Sequence, residues 1–547
     1  MTSSSPASRR QELLRNITAG TTTAVVIIPQ GMAYALVAGL PAIHGLYASL
    51  LPLVVYAIFG RSRELAVGPG ALDTLLVGTS LGSLAFVNDS NHAAYAALLA
   101  LMVGTIQLIL GAFRAGFLVN FLSRPVISGF TSAAAILIAV SQLHHLLGLP
   151  APPKENVFSD GLFIGRELGS AHLLTVGIGL SSVILLVILK RWKKAFPRAL
   201  VVVALSIGLS TVFRWGNLGV DVVGDIPPGL PTLSLPQMSF DTLRDLASTA
   251  LTIAFVGYLT MISIAQTFAN RGGYRVWPNR ELGAAGAANL IAGLSQGFPI
   301  SASFSRSAVH AQAGATSPRA LLITAVWVVL TLLLLTDLFE PLPTATLAAI
   351  IISAVLGLID VKAFRRLRIV KRSDMWLLLA TFASTLALGI ERGILTGVVA
   401  SLVLFVFRTT QPHAAVLGRV GTSRDFRNLL NYEAAAPVPG VLIVRVDAQF
   451  YFGNVSFLRD FLRQHEHESK TPLRAVVLEA CSVSQLDSSA NDALHEIVTD
   501  YQSRGVRFLL ASVKMPVARV MRASGLWEVI GEDNVFMNVH DAIEALD

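Results

Sequence analysis

Fourteen apolar segments most limit what this chain can become, and many of them approach the roughly 20 residues a helix needs to cross a bilayer. They fall near 17–38, 44–60, 68–84, 93–112, 125–147, 171–189 and 197–213. After a polar loop they resume near 246–268, 281–294, 300–313, 320–336, 343–359, 375–389 and 393–407. Backbone in hydrocarbon must satisfy its own polar groups, so these segments are expected as helices of a polytopic membrane protein. Only 14% of the 547 residues are charged and mean hydropathy is +0.63, in line with that class. The net charge of +8 is therefore read by topology, and no nucleic-acid partner is expected. A single cysteine, Cys481, excludes an internal disulfide framework.

Seven segments lie on each side of the 214–245 loop, which reads as repeats over about 17–214 and 240–409. An odd number of spans per repeat inverts the second relative to the first. Loop charges test this topology independently. With the polar N-terminal segment 1–16 inside, the inside loops hold Arg61 and Arg63, then Lys190, Arg191, Lys193 and Lys194, then Arg271, Arg275 and Arg280. A further inside loop, 362–372, has six basic residues and no acid, whereas the outside loop carries Asp221, Asp225, Asp241 and Asp245. The positive-inside rule thus places the N-terminus and everything after residue 409 in the cytoplasm of a cell-membrane protein. Residues 1–11 show no signal-peptide cleavage pattern.

The third member of each set is short and broken. Ser295–Ser307 carries five serines, a glycine, Pro299 and Arg306 inside an apolar region, and a lipid-facing helix would not tolerate that. Pro299 fits only at or before a first turn, so a half-helix is expected to begin near Ser301, with Ser303 and Arg306 on one face and Ser301 and Ser305 on another. Its unpaired N–H groups, helix dipole, hydroxyls and Arg306 together favour an anion. Leu65–Thr74 has a matching Gly/Pro break followed by the apolar run 75–84. Such a pair points to a transporter site built from facing half-helices. The competing reading is a pair of proline-kinked packing helices.

From about Val438 the composition becomes that of a soluble domain. Strands are expected at 441–446, 475–478 and 506–510, and helices near 455–465, 488–503 and 516–524, a small α/β domain over 438–547. A basic stretch, 408–427, links it to the membrane part, and the linker is expected over 410–437.

The chain resembles the sulfate permease (SulP) family of anion transporters, which includes prestin. Ile28–Ala35 resembles the family's first-span signature, Pro278–Leu282 its Asn-x-Glu-Leu opening of span nine, and Gly297–Ala308 its tenth-span motif. Pro439-Gly440 followed by Asp447–Asn454 resembles the start of its STAS domain. The resemblance implies fourteen spans as a seven-plus-seven inverted repeat like uracil permease, with a core domain moving against a gate domain in elevator fashion. It also implies homodimers, a regulatory partner at the STAS domain, and a substrate site between the third and tenth spans. Carried over by position, that site is Gln30 and Tyr34, Gly68, Pro69, Gly70 and Ala71, and Ser301, Ala302, Ser303, Phe304, Ser305 and Arg306. One departure stands out. Many relatives carry a carboxylate in span eight where this chain has Thr260, which removes the evident sodium ligand.

Several residues admit two readings. Arg306 is either an attractor of anions or a structural arginine closing carbonyl groups between helices. Gln30 follows Pro29, so it either contacts substrate or caps freed backbone. Asp73 is either a helix-dipole partner or a protonatable group coupling anion entry to protons. Ser488, in the turn Leu486–Ala490, matches a serine that is phosphorylated in bacterial anti-sigma-factor antagonists, while a helix cap at Asp487 or Ser488 explains the same turn. No nucleotide loop, metal cluster or nucleophile triad is present, so neither an enzyme nor a cofactor is expected. The expected function is secondary active transport of a small inorganic or organic anion, dicarboxylate, sulfate or bicarbonate, in symport with protons. The alternative is an anion channel or sensor.

Overall fold

Every apolar segment expected as a span is helical over most of its length. The computed structural model describes residues 6–82, 91–117, 123–152, 157–192, 198–236, 239–469 and 471–546. The expected basic residues Lys193 and Lys194, and positions 83–84 of the third segment, lie outside them. Span 1 is the helix Pro6–Val37, so residues 6–16, expected as a separate segment, continue it. Span 2 is broken into Ala42–Tyr47 and Leu51–Phe59, and span 3 keeps only Ala71–Gly82. Spans 4 to 7 are His92–Ala112, Arg124–Ser141 with Leu143–Leu147, Leu173–Trp192 and Arg198–Phe213. Spans 8 to 11 are Phe240–Gly272, Pro278–Leu294, Phe304–Gln312 and Ala320–Leu330 with its continuation to Leu335. Spans 12 to 14 are Thr344–Val355, Arg372–Leu388 and Ile390–Thr410. Among the described residues, seven helices are long and apolar enough to cross a bilayer, and four shorter apolar ones accompany them. Two further helices, Val157–Glu167 and Val361–Val370, occupy stretches expected as loops, because their polar composition hid them among the connections.

The packing of the spans carries the repeat. Span 1 lies against spans 10 and 11, and span 8 against spans 3 and 4. Span 6 packs on span 12 and span 13 on span 5, while span 4 meets span 9 and span 11 meets span 2. Shifting each number by seven turns every one of these pairs into another observed pair, as two copies of one unit require. The contact of spans 4 and 9 is made close by small residues, which replace the absent hydrophobic drive in lipid. A Cβ on Gly104 would lie 2.5 Å from the Leu290 nitrogen, and one on Gly286 2.8 Å from the Leu108 nitrogen.

The chain divides into two compact units, Met1–Ser401 and Leu402–Asp547. In the second, strands at Val441–Val446, Ala475–Glu479, Arg507–Ala511 and Val535–Phe536 pair in parallel in that order. Ala414–Val420 joins antiparallel beside Val441–Val446, with Phe426–Asn428 and Ala435–Ala436 beyond it. The stretch expected as the linker 410–437 thus contributes three strands to the sheet. Ala415 and Leu417 alternate inward there, but Arg419, Arg424 and Arg427 masked the pattern. The period of two splits the core. Val444, Leu478 and Leu510 pack on the helices Val455–Glu468 and Ser488–Ser503, while Ile443, Val477 and Leu509 pack on Val539–Glu544.

Candidate functional site

The two broken segments meet. Val67–Gly68 (β1) and Ser301–Ala302 (β2) pair antiparallel, Val67 opposite Ala302 and Gly68 opposite Ser301. Each strand then leads into its half-helix, at Ala71 and at Phe304, so both N-termini start beside the crossing. The tenth-span helix therefore begins three residues later than Ser301, the expected start. Ser301 is taken by the β pairing, and Ser303, in extended conformation, occupies the N-cap position. Ser301 and Ser305 consequently do not share a helical face, and Ser303 and Arg306 diverge.

Arg306 turns inward and is fully buried. Its Nε donates to the Ala66 carbonyl at 3.2 Å and its Nη1 to the Pro69 carbonyl at 3.1 Å, while Nη2 has no partner. The Ala66 N–H in turn donates to Ser307 Oγ at 3.0 Å. Arg306 and Ser307 together clasp the backbone freed by the Gly/Pro break, which is the structural role weighed against anion attraction. Gly68, at φ +136°, allows this, since a Cβ there would stand 2.8 Å from Ile27 and 3.3 Å from Nη2.

Asp73 lies in the first turn of the third-span helix and is 1% exposed. Ser301 Oγ donates to its Oδ2, and its Oδ1 has no partner. The carboxylate is held against Gly257 of span 8, where a Cβ would sit 3.1 Å from Oδ1. The Arg306 guanidinium lies within electrostatic range of both Asp73 and Tyr34.

The opening of this arrangement is narrow. Gly68, Pro69, Gly70, Ser301 and Ala302 are buried in the crossing, whereas Ala71 and Ser303 are half-exposed and Phe304 and Ser305 exposed. Ser303 Oγ lies 3.1 Å from Ser305 Oγ, and the Phe304 ring packs 5.7 Å from that of Phe268. Two neighbouring hydroxyls thus stand at the first turn of a helix, whose N–H groups have no intrahelical partner, a donor-rich setting suited to an anion. Gln30 and Tyr34 of span 1 are 6% and 3% exposed. Gln30 Oε1 has no partner.

Sequence reasoning missed the amides behind the crossing. Asn289 of span 9 accepts from the Ile300 N–H at 2.8 Å and donates to the Ile300 carbonyl at 3.1 Å, fixing the residue before β2. It also donates to Gln107 of span 4 at 3.0 Å, and Gln107 donates to the Ala254 carbonyl of span 8 at 3.1 Å. Buried amides in apolar helices were the available signal. His310 was likewise passed over. Its Nδ1 lies 2.7 Å from Thr23 Oγ1, tying the tenth-span half-helix to span 1. The Asn-x-Glu-Leu motif is structural here. Buried Glu281 accepts from Tyr56 at 2.7 Å, Ser62 at 2.9 Å and the Arg61 N–H at 3.2 Å, and Asn279 accepts from the Gly116 N–H at 2.8 Å. Thr260 lines a small cavity with Val126, Phe130, Thr131 and Ile394, and among the described residues no carboxylate lines it.

In the C-terminal unit the turn reads as a cap. Asp487 accepts from the Ala490 N–H at 2.7 Å, and its other oxygen from the Phe452 N–H at 2.9 Å. Ser488 is exposed as the first residue of its helix.

Paired half-helices meeting inside a repeated bundle of apolar helices define a membrane transport protein. The chain belongs to the sulfate permease family, whose model matches residues 13–381, and the STAS domain model matches 434–542. Its sequence is 37% identical to sulfate transporter 4.1, chloroplastic, of Arabidopsis thaliana, covering 97% of this chain and 79% of that protein. It is 36% identical to a probable sulfate transporter of Mycobacterium tuberculosis, covering 98% and 96%. Its fold is similar to that of the murine Solute Carrier 26 family member A9 anion transporter in the inward-facing state, at TM-score 0.89 and 26% identity over 97% of this chain and 91% of that one. The transmembrane domain of the cyanobacterial bicarbonate transporter BicA shares the fold at TM-score 0.62 and 24% identity, over 72% and 97%. The chain is thus an anion transporter of this family and not an enzyme.

Proposed function

We propose that the chain carries a small oxyanion of the sulfate type across the cell membrane in symport with protons. The observation that carries this is the accessible run Ser303, Phe304 and Ser305 at the tenth-span N-terminus, reached from a strand paired with the one that leads to Ala71, with Arg306 buried in the same turn. Donors oriented at a helix N-terminus bind an anion without a fixed countercharge in contact, so the ion is held yet can leave. Buried Arg306 supplies positive potential while its hydrogen bonds hold the crossing together. Gln30 and Tyr34 close the site from span 1. The similarity to sulfate transporters favours sulfate over bicarbonate or a dicarboxylate.

Coupling falls to Asp73. A charged carboxylate beside the crossing repels an arriving anion, and a proton on it removes that repulsion. Each charge moved against the membrane potential is worth about 2.3 kcal/mol per 100 mV, so anion uptake into a negative interior needs such a partner. Thr260 leaves sodium without a carboxylate between Leu246 and Asn270 of span 8. In this reading the spans bearing the crossing move as an elevator against the rest in a homodimer. The N-terminus and the C-terminal unit face the cytoplasm, and the STAS domain regulates, with exposed Ser488 as a modification site or protein contact.

The test is uptake of radiolabelled sulfate, succinate and bicarbonate by proteoliposomes. Saturable sulfate uptake driven by an inward proton gradient and indifferent to sodium is expected. Unsaturated flux following voltage alone would favour the channel reading.

A further inference from the structure

Between spans 12 and 13 the chain forms the helix Val361–Val370, capped by Asp360, which accepts from the Ala363 N–H at 2.9 Å. Leu367 is buried, and Ala363 and Phe364 are half-buried, so one stripe is committed to protein. The remainder points outward. Lys362, Arg365, Arg366 and Arg368 are exposed there, with Ile369 at 88% and Val370 at 71%. Lys371 and Arg372 bring the cluster to six cations with no acid between 361 and 372.

Four of the other arginines expected on this membrane side are matched by rings. Arg63 lies 5.0 Å over Tyr274, Arg271 5.8 Å over Phe268, and Arg275 and Arg280 4.8 and 5.7 Å from Trp277. Among the described residues, none of the six cations stacks on a ring or forms an ion pair. Like charges at helical spacing repel one another, and exposed Ile369 and Val370 among them are unfavourable in water. Both conditions are relieved at one place. In the interfacial layer of a bilayer the apolar groups enter the acyl boundary and the guanidinium groups meet phosphates. Trp376, 64% exposed and one turn beyond Arg372, marks that level, where tryptophan is enriched.

We propose that the helix Val361–Val370, with Lys371 and Arg372, is a binding surface for anionic phospholipid headgroups. It fixes the depth of spans 12 and 13 and makes the protein sensitive to the charge of the leaflet it faces. Basic residues near an anionic surface act roughly additively, so removing three weakens the attraction severalfold at least.

Native mass spectrometry of the full-length protein with equal phosphatidylglycerol and phosphatidylcholine tests this. Wild type should retain phosphatidylglycerol at least about fivefold over phosphatidylcholine, and salt should erode the preference. The triple variant Arg365→Gln/Arg366→Gln/Arg368→Gln should bring the ratio near one. Arg271→Gln/Arg275→Gln/Arg280→Gln, with the same charge loss, should keep it. An unchanged ratio in the first triple, or an equal loss in both, overturns the proposal. So does full displacement of the lipid by inorganic phosphate, which would make this a site for free anions. A changed oligomeric state without a changed ratio would make it an interface between copies and also overturns it. If the first triple is not monodisperse, the single variant Arg365→Gln and the salt titration of wild type decide, and a salt-insensitive preference fails the proposal.

Discussion

Ser301 donates its hydroxyl hydrogen to Asp73 across 228 residues of sequence, joining the two half-helices at their starts. A serine hydroxyl has one hydrogen, so Ser301 Oγ, committed to the carboxylate, cannot offer it to an anion. Arrival of a competing acceptor for that hydrogen has to break the bond, whereas a proton taken up on the partnerless Oδ1 leaves Oδ2 able to accept it.

Asp73→Asn keeps an acceptor for Ser301 but removes the titrating group. Uptake in proteoliposomes should persist with a flattened response to an inward proton gradient. If the variant keeps the full pH response, or if wild-type uptake requires sodium, Asp73 is only a helix-dipole partner.

Arg306→Ala leaves the carbonyls of Ala66 and Pro69 without donors, at about 1–3 kcal/mol for each buried acceptor. The melting temperature should fall, and anion Kd should rise roughly tenfold through the lost charge. Arg306→Lys restores the charge but not the fork. It should melt nearly as low as the alanine variant while recovering much of the affinity. Equal Kd in wild type and a monodisperse alanine variant would remove Arg306 from the anion's field.

A chain ending at Thr410, the last residue of span 14, should still bind sulfate by isothermal titration if stabilised in detergent. Every proposed substrate residue lies in the first unit. A folded truncation without binding would assign the C-terminal unit a part in the site.

Burial raises the Asp447 carboxyl, but hydrogen bonds from His413 and Ser482 and the charge of Arg445 hold it below its usual value. A depressed carboxyl stabilises the fold above its unfolded pKa and loses that contribution as pH falls through the folded one. Asp447→Asn should therefore lower the melting temperature at neutral pH, and the gap to wild type should close below about pH 4. A gap independent of pH would show that packing, not charge, sets the effect.

The spans and the central strands were legible because their signals are local: apolar length in one case, short continuous runs of β-branched and apolar residues such as Val441–Val446 in the other. The two breaks were also legible, from Gly, Pro and serine in apolar surroundings. What they do to each other was not. Pairing of Gly68 with Ser301 depends on the whole bundle, and it decided that the helix starts at Phe304 and that Arg306 points inward. The edge strands at 414–436 and the helix Val361–Val370 were lost for a related reason. Their basic residues, half-buried Arg419 on the inward face and the rest exposed, conceal a thin apolar stripe.

At Gly104, Gly286 and Gly293, spans 4 and 9 owe their closeness to atoms that are not there. A Cβ at Gly293 would stand 2.6 Å from the Ala97 carbonyl oxygen, and as at Gly104 the obstacle is backbone, which no neighbouring mutation can trim. Mutational drift at this seam is therefore blocked at its first step in every direction. In a random-variant library selected for uptake, these three codons should come back unchanged while lipid-facing leucines such as Leu334 and Leu395 are exchanged freely. This line of contact is the part of the molecule least able to record its own history.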